Sequence, residues 1–350
     1  MPSLPTWLWP TLGALIVLAV AAFAAWRTFT GPMFRPGSVA TRPDLDPVPG
    51  PVDAPWQVQP HVTLAHISAG SGPPLLVVHG GPGIAPTRLA PGLEALTNAF
   101  SVHAFHQRGC GDSSRLYNGA TTDNTYANIQ ALESTLGVGA QLADIERIRR
   151  LLGEERLLLV GHSYGALLAA LYAAEFPDHV AALVLVAPAD MLLFPSPHGG
   201  LFDQMRAALP ADQHAAFDAW KADYLDLSGV FAKTTADLQA LDTRFIELYQ
   251  AAAGPLDAVP DPGHLGVWHA RAQYFSGGMR HDWRPALARI QARTLVIHGS
   301  QDLQPEDVAR MYTHAIPDSH LETIDGAGHV PWSSHPDAFD RLVRAFLRAR

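Results

Sequence analysis

The sequence predicts an α/β protein: a mostly parallel sheet with helices on both faces, an inserted helical cap, and a transmembrane helix ahead of both. Three observations carry this expectation. Short apolar runs (Leu75 to Val78, Leu157 to Val160, Leu183 to Val186, Thr294 to Ile297) alternate with helix-forming stretches, the pattern of strands covered on both sides. From about Asp190 to Asp282 that rhythm stops, and helices and loops with scattered aromatics such as Phe202, Tyr224, Phe245 and Tyr274 take over. Finally, Trp7 to Trp26 is an uncharged stretch of 20 residues. As a helix it reaches about 30 Å, the thickness of a bilayer's hydrocarbon core.

Taken in order, residues 1–30 read as an N-terminal membrane anchor, with Trp7, Trp9 and Trp26 at its two ends. A cleaved signal, giving a secreted or periplasmic protein, is the competing reading, since Ala22-Phe23-Ala24 resembles a cleavage site. Arg27, Arg35 and Arg42 all follow the segment, which places the soluble domain on the cytoplasmic side by the positive-inside rule. Residues 31–55 are dense in proline and read as a semi-rigid spacer. The core is expected over 56–189 and 283–350, and the cap over 190–282; a separate helical domain is the alternative for the latter.

Within the core, His61 to Ile67 alternates like an early antiparallel strand. Leu75 to Val78 ends at His79-Gly80-Gly81-Pro82-Gly83, and Val102 to Phe105 ends at Gln107-Arg108-Gly109-Cys110-Gly111. Gln141 to Leu152 is helical, with Leu142, Ile145, Ile148 and Leu152 on one face. The last two strands are Thr294 to Ile297 and Leu321 to Ile324.

Composition narrows the function. With 350 residues, 48% of them hydrophobic, a substantial core is possible. A net charge of -9 with no Lys/Arg-rich run argues against nucleic acid. The single cysteine, Cys110, forms no internal disulfide. The 17 histidines lack His-Glu-x-x-His spacing and read as scattered core or surface residues, so neither a metal nor an organic cofactor is expected.

The chemistry centres on Gly161-His162-Ser163-Tyr164-Gly165, set between an apolar strand and a helix-forming run. A strand, a sharp turn and a helix place a serine at an exposed apex, the geometry of a nucleophile. A hydroxyl needs a base and a group to orient that base, and in a parallel sheet these lie on loops at the strands' carboxyl ends. Asp302 and His329 follow the last two strands, so the chain order is Ser163, Asp302, His329. Asp307 and Asp325 are weaker candidates for the acid. The backbone N–H of Tyr164 and of Gly81 are the expected oxyanion donors.

These features resemble the α/β-hydrolase superfamily and, within it, the proline iminopeptidase-like serine aminopeptidases. The resemblance rests on His79 to Gly83, Gln107 to Gly111, Asp144-Ile145-Glu146-Arg147-Ile148-Arg149 and Gly326-Ala327-Gly328-His329, and covers about Trp56 to Arg350. It implies cleavage of N-terminal residues from small peptides through an acyl-enzyme, without cofactor. His106 stands where the peptidases carry Asp, and the elbow has His162 and Tyr164, as in esterases. The peptidases hold the substrate amine with cap glutamates, one in a Trp-Glu pair. Here Trp268 precedes His269 and the cap's only glutamate is Glu247, so Trp268 and Glu247 are the substrate-binding candidates, with Asp242 as a further acid. A carboxylesterase for small acyl esters, and a non-catalytic binding protein, are the alternatives.

Overall fold

The computed structural model describes residues 31–254 and 262–348. The strands are β1 (Trp56–Gln59), β2 (Val62–Leu64), β3 (His66–Ala69), β4 (Pro74–Val78), β5 (Ser101–Phe105), β6 (Leu157–His162), β7 (Val180–Val186), β8 (Leu193–Phe194), β9 (His281–Asp282), β10 (Arg293–Gly299) and β11 (Ser319–Ile324). Seven of them form one sheet in the order β11-β10-β7-β6-β4-β5-β3. Only the β3–β5 pairing in it is antiparallel.

Alternation within β4 explains why both faces are covered. Leu76 and Val78 join a core with Leu159, Leu183 and the helix Tyr164–Glu175, while Leu75 and Val77 join another with Val160, Val184, Phe339 and Val343. Successive side chains point to opposite faces of a strand, so an unbroken apolar run needs a layer on each. Helix Tyr164–Glu175 is buried along its whole length, which accounts for its lack of a polar stripe.

The chain turns from β4 to β5 on one side and from β6 to β7 on the other, so β4 and β6 are neighbours whose loops diverge. Such a switch point opens a crevice at the carboxyl ends of the two strands. The loop at Gly80-Gly81 and the turn at Ser163 face that crevice.

Between β7 and β10 the chain makes an excursion whose described residues include four longer helices, Gly200–Ala208, His214–Tyr224, Thr235–Ala253 and Val267–Gly277. Two small apolar clusters hold them together, one around Trp268 and one around Trp220. Antiparallel β8 and β9 join the start and end of this excursion, Leu193 facing Asp282 and Phe194 facing His281.

Two N-terminal expectations are corrected. The expected transmembrane segment Trp7 to Trp26 lies outside the described residues. Among the described residues no helix is long and apolar enough to cross a membrane. The longest of these, Thr235–Ala253, carries Asp237, Asp242, Arg244 and Glu247. The membrane placement with a cytoplasmic domain is therefore withdrawn.

Nor does the segment 31–55 stand off as a spacer. Phe34, Val39 and Leu45 are buried in the main core, and the Glu175 carboxylate accepts N–H from Gly37, Val39 and Ala40. Proline density rules out helix and ladder but leaves apolar side chains free to dock.

Candidate active site

Ser163 precedes the helix Tyr164–Glu175 with φ 53° and ψ −118°. A non-glycine residue held there is strained, and such strain persists only where the surroundings over-determine it. They do so here. Ser163 N–H donates to Val186 O at 2.9 Å, and Ser163 O accepts from Ala166 N at 3.0 Å and Ala189 N at 3.1 Å. Gly165 is obligatory, since a Cβ on it would lie 2.1 Å from Val78 O.

Ser163 Oγ lies 2.9 Å from His329 Nε2, and His329 Nδ1 lies 2.8 Å from Asp302 Oδ2. The second Asp302 oxygen accepts Gln304 N–H at 3.0 Å. Burial would raise the Asp302 pKa, but the His329 ring and these hydrogen bonds hold it below the usual carboxylate range. An ionised carboxylate only accepts, so His329 Nδ1 carries the proton and the Nε2 lone pair faces Ser163. Asp325 instead accepts from Ser300 Oγ, and Asp307 borders a separate surface groove.

His162 holds the histidine loop from behind. Its Nε2 donates to His329 O at 2.8 Å, and its ring packs on Trp332 at 4.8 Å between centroids. Burial, then the nearby His329 ring, pushes its pKa down to about 3, so it is a neutral brace.

Three of the four stretches behind the sequence resemblance are knitted together. His79 Nδ1 donates to Gly80 O at 2.8 Å and its Nε2 accepts Gln107 N–H at 3.1 Å. Arg108 makes a two-pronged bond to Asp144, at 2.6 and 2.5 Å. Gly81 has φ +125°, a region that favours glycine, and it lines the same cavity as Ser163 and Tyr164. Tyr164 N–H, in the first turn of its helix, has no intrahelical acceptor. Burial pushes the Cys110 thiol up to about 12, which leaves it a poor competitor as nucleophile.

A cavity of about 1150 Å³ lies in front of Ser163, between the sheet's carboxyl edge and the excursion helices. Neither sequence-derived substrate candidate reaches it. Glu247 is exposed and paired with Arg244 at 2.7 Å. Trp268 is buried against Tyr117, 5.1 Å between ring centroids. The face of helix Thr235–Ala253 turned to the site carries Asp242, Phe245 and Ile246, which line the cavity, and Tyr249, whose ring is 5.9 Å from His329. These positions follow i, i+3, i+4, i+7, a spacing legible in the sequence. Asp242 is paired with Arg271, which also lies 4.6 Å over the Tyr224 ring. Burial pushes Asp242 up to about 6 against the pull of Arg271.

A family model described as the alpha/beta hydrolase fold matches residues 73–336. The chain belongs to the α/β-hydrolase fold family. This α/β-hydrolase is 24% identical to a proline iminopeptidase of Heyndrickxia coagulans over 291 residues, 80% of this chain and 92% of the relative. Among solved structures it is similar to a proline iminopeptidase of Mycobacterium smegmatis, with TM-score 0.55, 20% identity and coverage of 82% and 95% of the two chains. It is also similar to a thermophilic esterase of Thermogutta terrifontis, with TM-score 0.51, 21% identity and coverage of 82% and 93%. At these identities the structural likeness concerns the fold alone.

Proposed function

We propose that this α/β-hydrolase is a serine hydrolase of carboxylic esters. The observation that carries the reading is the continuous hydrogen-bonded chain from Ser163 Oγ through His329 to Asp302. Ser163 Oγ attacks the carbonyl carbon while its proton passes to His329 Nε2. The oxyanion that forms is met by the N–H groups of Gly81 and Tyr164, which act only as charge develops. Collapse breaks the bond to the alcohol, which leaves with the proton from His329 and leaves the acyl group on Ser163. Water then attacks, gives its proton to His329, and releases the acid with Ser163 restored. Asp302 stays ionised and stabilises the imidazolium at both stages.

Ester is favoured over N-terminal peptide for a stated reason. An aminopeptidase needs an ionised carboxylate free to meet the substrate ammonium. Glu247 lies outside the cavity, and the carboxylates that line it are engaged: Asp242 is matched by Arg271, Asp203 by Lys221, and Asp190 accepts from Ser196 Oγ and is raised in pKa by burial. The aminopeptidase remains the second reading, because Asp242 does line the cavity and relatives named proline iminopeptidase match most of the chain.

The test is a fluorophosphonate probe followed by a substrate pair. Wild type labels and Ser163→Ala does not; equal labelling of both would sink the reading. Hydrolysis of an aryl ester with no turnover of a prolyl arylamide is the expected second result, and the reverse pattern selects the aminopeptidase.

A further inference from the structure

The cavity at Ser163, about 1150 Å³, exceeds the span of about 300–1,000 Å³ usual for pockets that take drug-sized ligands. A short acyl group leaves most of it unfilled. One wall comes from neither the sheet nor the excursion helices: Gly31, Pro32, Met33 and Arg35 line it. These residues lie ahead of the family-matched region 73–336.

The wall is anchored. Phe34, 3% exposed, stands edge-on to Trp283 at 5.5 Å and donates its N–H to Ser276 O at 3.1 Å. Just beyond, the Glu175 carboxylate gathers the N–H groups of Gly37, Val39 and Ala40. Glu175 ends the helix that starts directly after Ser163. Wall and nucleophile are therefore fixed at opposite ends of one rigid element.

The opening is apolar in an unusual way. Five large hydrophobic side chains are exposed among the described residues, and four of them, Met33, Tyr126, Phe194 and Met279, line this one cavity. Val52 is the fifth. Exposed apolar residues scattered singly need no explanation, but a concentration at one site marks an interaction surface or a ligand groove, and this one lines the cavity that holds Ser163.

We propose that the segment Gly31–Arg35 is a specificity wall, and that Met33 with Tyr126, Phe194 and Met279 forms a distal subsite for an extended apolar acyl chain. This inference rests on the ester-hydrolase reading. The acyl group is bonded to Ser163 between the first step and the last, whereas the alcohol leaves early, so the acyl group is the part of the substrate that this wall can hold through both stages. The substrate class is then an ester of a long-chain carboxylic acid.

The test uses the full-length protein and para-nitrophenyl esters from butanoate to decanoate, with fluorophosphonate labelling of the same samples. In wild type, kcat/KM rises about two- to fourfold for each added methylene, the range set by burying one such group. The double variant Met33→Asp, Met279→Asp lowers the decanoate-to-butanoate ratio by about tenfold or more, whereas Val52→Asp, outside the cavity, keeps the wild-type ratio. A flat wild-type profile, or a double variant with the wild-type ratio, overturns the inference while labelled Ser163 leaves the hydrolase reading standing. Absence of labelling overturns both.

Discussion

Gln107 and His79 clasp each other across two loops: Gln107 N–H donates to His79 Nε2 at 3.1 Å, and the Gln107 side-chain amide donates to His79 O at 2.8 Å. His79 in turn donates from Nδ1 to Gly80 O. Only the neutral ring fits this pattern, and burial pushes its pKa down to about 3. The clasp fixes the loop that carries Gly81.

Replacing Gln107 with Ala leaves a buried carbonyl unpaired, a cost of about 1–3 kcal/mol. The expected outcome is a fall in kcat of about tenfold or more with KM little changed, since the loop's proposed donor acts only in the transition state. Steady-state kinetics check this; a raised KM at unchanged kcat would refute a positioning role.

Asp302→Asn keeps the shape of the acid but permits the wrong His329 tautomer. A loss of about 10⁴ in kcat is expected, as in other enzymes with this arrangement. Circular dichroism and melting should stay close to wild type. If kcat changes less than tenfold, Asp302 does not orient the base.

Glu146 sits under the core helix, accepting from Arg149 at 2.9 and 2.7 Å, Arg150 at 2.8 Å and Tyr172 at 2.9 Å. Burial acts to raise its pKa, but Arg149 and Arg150 win and lower it to about 2. A depressed carboxylate stabilises the fold above its unfolded value, about 4.3. That contribution is lost as pH falls toward about 2. Glu146→Gln should therefore be less stable at pH 7, by about 3–5 kcal/mol for breaking a buried pair. Its melting temperature should also vary less between about pH 5 and pH 2. Melting curves across that window decide it; a variant with the wild-type slope would show that Glu146 does not titrate there.

Glu133 has the opposite sign. Burial raises its pKa to about 7, although Ser276 Oγ donates to it at 2.6 Å. Its contribution is full below the unfolded value and declines as pH rises to about 7. Glu133→Gln should match wild type near pH 4 and exceed it at pH 8 by about 1–3 kcal/mol. Equal stability at both pH values would contradict the burial argument.

Much of the site was legible in the sequence because it is local. Ser163, Asp302 and His329 each follow the end of a sheet strand, so their nearness follows from strand order. Glu247 and Trp268 were misread because residue type does not say which helix face meets the cavity; the spacing of Asp242, Phe245, Ile246 and Tyr249 does. The N-terminal segment was misread for a different reason. Its prolines report backbone conformation, while the docking of Phe34 depends on Trp283, distant in sequence. Long-range pairing of that kind leaves no periodic signal.

The two-residue ladder of β8 and β9 has one more implication. Because Leu193 faces Asp282 and Phe194 faces His281, the excursion leaves the core and rejoins it at adjoining points. A segment with neighbouring ends changes length or is exchanged for another without disturbing the register of the strands it departs from. The catalytic floor and the roof above it are thus separable inheritances: one scaffold keeps its chemistry while the roof is traded for a new clientele.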